Sequence, residues 1–427
     1  MPWRMLAFRL LKTWVALVWT TAAALDTCSS AIAGPHDPLD IHGVDAQLDC
    51  IDHGEVLLMR VRVDAMRLTG YLIKGCHSGC RAMGRALEQV RSLSSAAASG
   101  VLAMTLVGAA VQAETKVRFT LDWIPGSVHS PFFFALHKGY YKAEGLDVSI
   151  DRGKGSAEVV RQLASGVYDM GYPDINIVID FVSKNPDQGF PVLMMGYEQA
   201  PAAIVTLNSS GISSPKQLEG KTIGAAASDS TFKLFPIFAK STGLNLGAVK
   251  VQYIEPKLRE TLLARKDVDA IPGQVFNAVL ELKAKGVKEE DVRAFLYRDY
   301  GLDIYGNGLA ASRAFLKSNP DAVRGFIRAT FKGVRDMVRD PEEAVRMTTQ
   351  FEPLLNADIE RDRLRLAMSC CLITPNVLKY GFGAVDQGRL KRSIALIAQG
   401  YQLPREPLPE EVFDASYLPP ETERMVK

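Results

Sequence analysis

After residue 113, short β-rich runs alternate with amphipathic helical stretches, and the alternation occurs twice; no other feature of the chain limits its fold as strongly. The first round reads as strands at Val117–Leu121, Leu146–Ile150, Asp169–Tyr172 and Val192–Gly196. Between them lie a helical pattern from Phe132 to Lys138 and a second one capped by Ser156, with Val159, Val160 and Leu163 on one face. The second round opens with Ser214-Pro215, a cap and a first-turn proline. Strands at Thr222–Ala225, Val249–Tyr253, Val268–Ile271 and Val292–Tyr297 follow, with a helix starting near Ser230. Leu309–Ala311 reads as a return strand, and Asn319-Pro320 begins a long helix with Val323, Phe326, Ile327, Phe331 and Val334 on its apolar face.

Strand–helix–strand order implies parallel strands covered by helices. A chain of 427 residues exceeds what one hydrophobic core organises, so the two rounds predict two α/β lobes, 114–204 plus 304–427 and 205–303. Two halves joined by two crossings leave a cleft at the carboxyl ends of their strands, where open parallel sheets bind ligands and where a hinge can close.

A targeting segment precedes this body. From Met83 the chain carries Arg85 and Arg91, an uncharged apolar run from Ala97 to Ala110, and Val111-Gln112-Ala113, with small residues at the two positions a signal peptidase reads. Residues 83–113 are therefore expected to be a secretory signal cleaved after Ala113, with Met83 as initiator and residues 1–82 spurious upstream translation or disordered. In the competing reading Arg4, Arg9 and Lys12 precede an apolar run from Trp14 to Leu25, and residues 35–82 form a small extracytoplasmic domain.

Net charge is +2, with no basic strip interleaved with aromatics, so nucleic-acid binding is not expected. Cys28, Cys50, Cys76 and Cys80 lie before Met83, and Cys76, His77 and Cys80 lack the second pair that a metal site needs. Cys370 and Cys371 are expected to be small apolar side chains on a helix. No cysteine stands at the cleavage point, so no lipid anchor is expected, and no metal or cofactor is implied.

Residues 121–150 read LDWIPGSVHSPFFFALHKGYYKAEGLDVSI. This block resembles the thiamine-pyrimidine-precursor (NMT/THI-like) family of ABC-transporter periplasmic solute-binding proteins, relatives of the sulfonate, taurine and nitrate binders. The family pattern is a strand ending in L-[DN]-W-x-P, a nearby His, then K-G-[YF]-[YF]-K-x-x-G-L-[DE]-V. ASGVYDMG (164–171), GFPVLMMG (189–196), SSPKQLEGKTIG (213–224) and NPDAVRGFIRAT (319–330) extend the likeness over nearly all of the chain after the signal. The resemblance implies a type II periplasmic binding fold, a small-molecule ligand, a permease in the inner membrane as partner, a monomeric periplasmic protein and no enzymatic activity. It also implies a planar nitrogen heterocycle of pyrimidine type as ligand, with an alkyl sulfonate, taurine or similar small anion as the alternative.

Trp123 is the sole tryptophan after Met83 and follows a strand directly, so its rigid π surface is placed to stack a planar ring. Asp122 beside it can accept from ring N–H or amino groups; core packing and helix capping are the competing roles. By resemblance His129 falls at the cleft, whereas His137 is expected on the surface. Tyr172 and Asp174 follow the third strand and Tyr197-Glu198 the fourth, offering a second aromatic wall and a carboxylate partner. In the second lobe Ser228, Asp229 and Ser230 precede a helix N-terminus, where Asp229 disfavours an anionic ligand. Gln274, and Tyr305 with Asn307 near the return crossing, complete an outer set.

A fungal branch of the same family makes the thiamine pyrimidine from its own histidine. By resemblance it needs a Lys and a His just after the third strand and a cysteine-rich run before the return strand. Here those places hold Tyr172-Pro173-Asp174-Ile175-Asn176-Ile177 and the cysteine-free stretch 303–308. G-x-S-x-G is absent after Met83, and Gly153-Lys154-Gly155-Ser156 is a phosphate-loop fragment without the full spacing.

Overall fold

The computed structural model describes residues 48–53, 56–61 and 114–426. The expectations about residues 83–113, the signal and its cleavage point, and about the rest of 1–82, lie outside the described residues. Within that region β1 (Leu48–His53) and β2 (Val56–Val61) pair antiparallel, an element not assigned from sequence.

The compact unit from Ala109 to Lys427 contains two five-stranded sheets with one topology. The first has the order β4-β3-β5-β12-β6, built from β3 (Thr115–Thr120), β4 (Leu146–Asp151), β5 (Met170–Gly171), β6 (Val192–Met195) and β12 (Gly308–Ala311). The second, read from its far edge, has β9-β8-β10-β7-β11: β7 (Ala202–Leu207), β8 (Thr222–Ala225), β9 (Lys250–Tyr253), β10 (Ala270–Gln274) and β11 (Val292–Leu296). In each sheet one strand, the first after a crossing, runs against its neighbours: β12 against β5 and β6, β7 against β10 and β11. The all-parallel second set expected from sequence is thus a mixed sheet. Β7 escaped notice because AAIVTL is buried at every position and carries no period of two.

Helices cover both faces. Helix Pro320–Arg339 buries Val323, Phe326, Ile327, Phe331 and Val334 against the first sheet, as its spacing predicts. Phe326 lies 5.1 Å from Phe119 of β3, ring centre to ring centre. Helix Ser130–His137 packs Phe132, Phe133 and Phe134 into the same core and leaves His137 exposed. Among the described residues no helix is long and apolar enough to cross a membrane.

Cys370 and Cys371 differ from expectation: they form a disulfide between sequence neighbours. The bond lies in Met368–Leu372, where the backbone widens from α to π geometry. The carbonyls there accept from Arg298 Nη1 at 3.2 Å and from the backbone N–H of Gln199 at 3.4 Å, on the two segments that link the sheets.

Candidate functional site

The carboxyl ends of β3 and β8 face each other across a closed cleft. Asp122, Trp123, Asp229, Ser230 and Gln274 line one small cavity there, together with Gly155, Ser156, Arg259 and Asn277. Its volume is about 10 Å³, roughly that of one water probe. Residues 153–157 and 226–230 form one of the contacts between the lobes. Ser228 accepts from the backbone N–H of Ala157 at 3.2 Å, and its hydroxyl donates to the Lys154 carbonyl. Gly155 has φ +123°, and a Cβ on it would stand 2.4 Å from the Ser228 carbonyl oxygen, so only glycine allows this approach.

Asp122 is held from two sides. Its Oδ1 lies 3.0 Å from His129 Nε2, and Oδ2 accepts from Gln274 Nε2 at 3.4 Å. The Gly126 N–H donates to His129 Nδ1 at 3.2 Å, so Nδ1 is the acceptor and the ring proton sits on Nε2, aimed at Asp122. With 1% exposure His129 does not reach the cavity. It orients the carboxylate that does. Gln274 in turn bonds Asn307 Oδ1 at 3.2 Å and receives Asn277 Nδ2 at 3.0 Å, and Asn307 donates to the Tyr172 carbonyl at 2.9 Å.

Trp123 is half-buried, and Arg259 of the opposite lobe lies over it, with Cζ 4.9 Å from the ring centre. Arg259 is itself 1% exposed and neutralised twice. Nη1 meets Asp229 Oδ2 at 2.5 Å, while Nη2 and Nε meet Glu260 Oε1 at 2.5 and 2.8 Å. Burial opposes its charge, but Glu260 and Asp229 outweigh that and hold the guanidinium above its ordinary pKa. Gly273 makes the room, since a Cβ there would touch the guanidinium at 3.0 Å.

Asp229 caps helix Ser230–Thr242, its Oδ1 accepting from the N–H groups of Thr231 at 2.7 Å and Phe232 at 3.2 Å. Those groups are therefore not open to an anion. Burial pushes the Asp229 carboxyl up, against the pull of Arg259 and these donors. Asp174 stands behind Ser230. It caps helix Ile175–Lys184 and bonds Asn176 Nδ2 at 2.7 Å, and burial lifts its pKa to about 6 against the pull of Asn176 and Ser230. Ser156 is not the cap predicted from sequence: Gly155 holds that position, and the Ser156 hydroxyl accepts from the Asp174 N–H at 3.1 Å.

Four expected site residues lie elsewhere. Tyr172 is buried between Phe132, at 5.2 Å, and Tyr197, at 5.7 Å, and Tyr197 against Phe276, at 5.6 Å. Burial lifts both phenols well above their ordinary pKa, with further upward pressure on Tyr172 from Asp122. Tyr172 reaches toward Gly196, where any Cβ would collide with its hydroxyl, so it forms part of the core and not a cavity wall. Glu198 is bound by Arg389 at 2.5 Å and Asn376 at 3.0 Å, and with Tyr305 it lines a separate cavity. A strand-end position does not reveal which side of the sheet a side chain takes.

Arg259, Glu260 and Asn277 carry no sequence signal, whereas Asn307, beside Tyr305 near the return crossing, belongs to the expected outer set and reaches Gln274. An Arg-Glu pair at a helix start reads from sequence as a solvated face. For Gly155 and Ser156 a signal existed: the paired glycines set aside as a broken phosphate loop mark the close approach of the lobes.

Residues 127–344 match the family described as NMT1/THI5 like, and the chain belongs to that family. It is 28% identical over 242 residues to the riboflavin-binding protein RibY of Chloroflexus aurantiacus, covering 56% of this chain and 67% of that one. It is 26% identical over 269 residues to the formylaminopyrimidine-binding protein of Halalkalibacterium halodurans, covering 60% and 78%. A 4-amino-5-hydroxymethyl-2-methylpyrimidine phosphate synthase of Saccharomyces cerevisiae is 26% identical over 256 residues, covering 57% and 73%. Among solved structures, the alkanesulfonate-binding protein SsuA from Xanthomonas axonopodis superposes with a TM-score of 0.55 at 14% identity, covering 70% of this chain and 98% of that one. That likeness establishes the periplasmic binding protein fold.

Proposed function

We propose that the protein is the periplasmic solute-binding component of an ABC importer and that its cleft takes a planar, neutral or cationic nitrogen heterocycle of pyrimidine type. One observation carries the ligand class: Arg259, the cation of the cleft, is fully engaged by Asp229 and Glu260 and leaves no charge for a sulfonate or nitrate. Asp122 then gives the cavity an acceptor for amino or ring N–H groups, next to the indole face of Trp123. A heterocycle stacks where Arg259 now rests, and the guanidinium moves off the ring while keeping its carboxylates. The riboflavin- and formylaminopyrimidine-binding relatives support this reading.

The synthase relatives suggest the rival activity. We read this chain as a binder, because the residues after β5 are Tyr172, Pro173 and Asp174, two of them packed or capping groups, with no Lys or His to react. Lobes of 114–204 plus 304–427 and of 205–303, a signal cleaved after Ala113, a monomeric state and delivery to an inner-membrane permease complete the proposal. Calorimetric titration with aminopyrimidines, riboflavin, taurine and alkyl sulfonates tests it. Saturable binding of an aminopyrimidine but of no sulfonate is expected; the reverse order overturns the ligand class. Conversion of a bound pyrimidine precursor into a new product would overturn the binder reading.

A further inference from the structure

Glu198 and Tyr305 line a cavity of about 580 Å³ that is separate from the cleft and large enough for a small organic ligand. It lies where both segments linking the sheets meet helix Gln387–Tyr401. Arg389 on that helix ties the two segments together. Nη1 donates to the Glu198 carbonyl at 3.0 Å and carboxylate at 2.5 Å, and Nη2 to the Ile304 carbonyl at 3.3 Å and Asp303 Oδ1 at 2.8 Å. Its guanidinium stacks over Tyr305 at 4.3 Å, and the Tyr305 hydroxyl accepts from the Asp386 N–H at 2.8 Å. The cavity wall is thus fixed in advance, which lowers the ordering cost of binding.

The lining carries three arginines and three carboxylates, but they are not paired one to one. Glu198 is taken up by Arg389, and Asp386 caps the helix through the Arg389 N–H at 2.7 Å. Arg392 and Arg424 also line the cavity and have no ion pair among the described residues. Arg424 meets only carbonyl oxygens, those of Pro419, Tyr380 and Phe382, and Glu421 is the sole further carboxylate of the lining. Arg389 Nε, on a side chain 9% exposed, is a buried donor with no partner among the described residues. That nitrogen has almost no surface open to the cavity, so it belongs to the wall and is not a ligand contact. Val377, Val385 and the ring of Tyr380 give the remaining wall an apolar character.

We propose that this cavity is a second ligand site, which binds a small organic carboxylate through Arg392 and Arg424, with the ligand's apolar body against Val377, Val385 and Tyr380. Guanidinium forks match the planar carboxylate group, and the cleft, whose arginine is saturated, offers no such site.

Calorimetric titration of the full chain with benzoate, citrate and inorganic phosphate tests the site. Saturable carboxylate binding is expected, weakened at least about tenfold in Arg392→Gln and further in Arg392→Gln/Arg424→Gln, and unchanged in Trp123→Ala. Arg392 is exposed and unpaired, so the single variant keeps the fold, which an unchanged thermal transition verifies. No saturable carboxylate heat up to about 10 mM, full binding in the double variant, or loss of binding in Trp123→Ala would each overturn the proposal. Phosphate bound more tightly than either carboxylate would overturn the ligand class. Failure of the heterocycle reading leaves this test untouched, because Trp123 takes no part in it.

Discussion

Arg259 of one lobe lies over the indole of Trp123 in the other, Cζ 4.9 Å from the ring centre, while Asp229 and Glu260 hold its guanidinium from behind. The cleft therefore closes on a neutralised planar group that covers the stacking surface. On the proposed reading this is a site for a flat, uncharged or positive ring, in which each surrounding residue has a distinct, measurable part.

Replacing Arg259 removes the partner of two buried carboxylates. Arg259→Ala is expected to destabilise the protein by about 3–5 kcal/mol, read as a lower urea midpoint with the slope retained. Arg259→Ala with Asp229→Asn and Glu260→Gln should recover part of that loss, since no unpaired charge then remains. A near-neutral single variant contradicts the buried triad.

His129 acts through Asp122. His129→Ala frees the carboxylate to rotate and is expected to weaken heterocycle binding about ten- to a hundredfold, the worth of a hydrogen bond to a charged group. His129→Gln, whose amide nitrogen falls near the place of Nε2 and can still donate to Asp122, should restore part of the affinity. Equal losses in both variants would mean that packing alone explains the residue.

Gly155 is a point of close approach between the lobes. Gly155→Ala adds a Cβ that would stand 2.4 Å from the Ser228 carbonyl oxygen, at a φ of +123°. Its expected result is a more open average shape by X-ray scattering and a loss of affinity of about tenfold or more, with Trp123 intact. A wild-type scattering profile with ligand present contradicts the closure geometry.

Asp174 gives a pH signature. Burial raises its carboxyl from 3.8 to about 6, so the folded protein holds this proton more tightly than the unfolded chain does. The stability it contributes is full below pH 3.8 and is lost as the pH rises through about 6, a change of about 3 kcal/mol at 1.36 kcal/mol per pKa unit. Asp174→Asn keeps the cap and has no proton to lose. Its stability relative to wild type should rise by that amount between pH 4 and pH 7 in parallel urea titrations, and a constant difference contradicts the assignment.

Nine of the ten strands of the two sheets were legible because their signals are local; β7, buried along its whole length, was not. Val117 and Phe119 alternate with exposed residues along β3, and the apolar stripe of helix Pro320–Arg339 repeats at helical spacing. The LDW block placed Asp122 and Trp123 at a strand end, where the structure puts them. The remainder depends on tertiary direction. Tyr172 follows β5 directly, yet it turns into the core because Gly196 leaves it a slot. Glu198 looked like a ligand contact until Arg389, 191 residues away in sequence, paired with it. Arg259 carries a charge and so reads as surface, and only the fold brings Asp229 to it. The Cys370–Cys371 bond was missed for a similar reason, as it lies in a local departure from α geometry that the sequence does not signal.

The central claim is that a heterocycle stacks on Trp123, the single tryptophan of the chain from Glu114 onward. Fluorescence of that chain, titrated with an aminopyrimidine and with an alkyl sulfonate, tests it most directly. The account predicts a saturable quench by the aminopyrimidine that calorimetry reproduces and that disappears from the calorimetric signal in Trp123→Ala. An unquenched tryptophan alongside tight calorimetric binding of the sulfonate would contradict it.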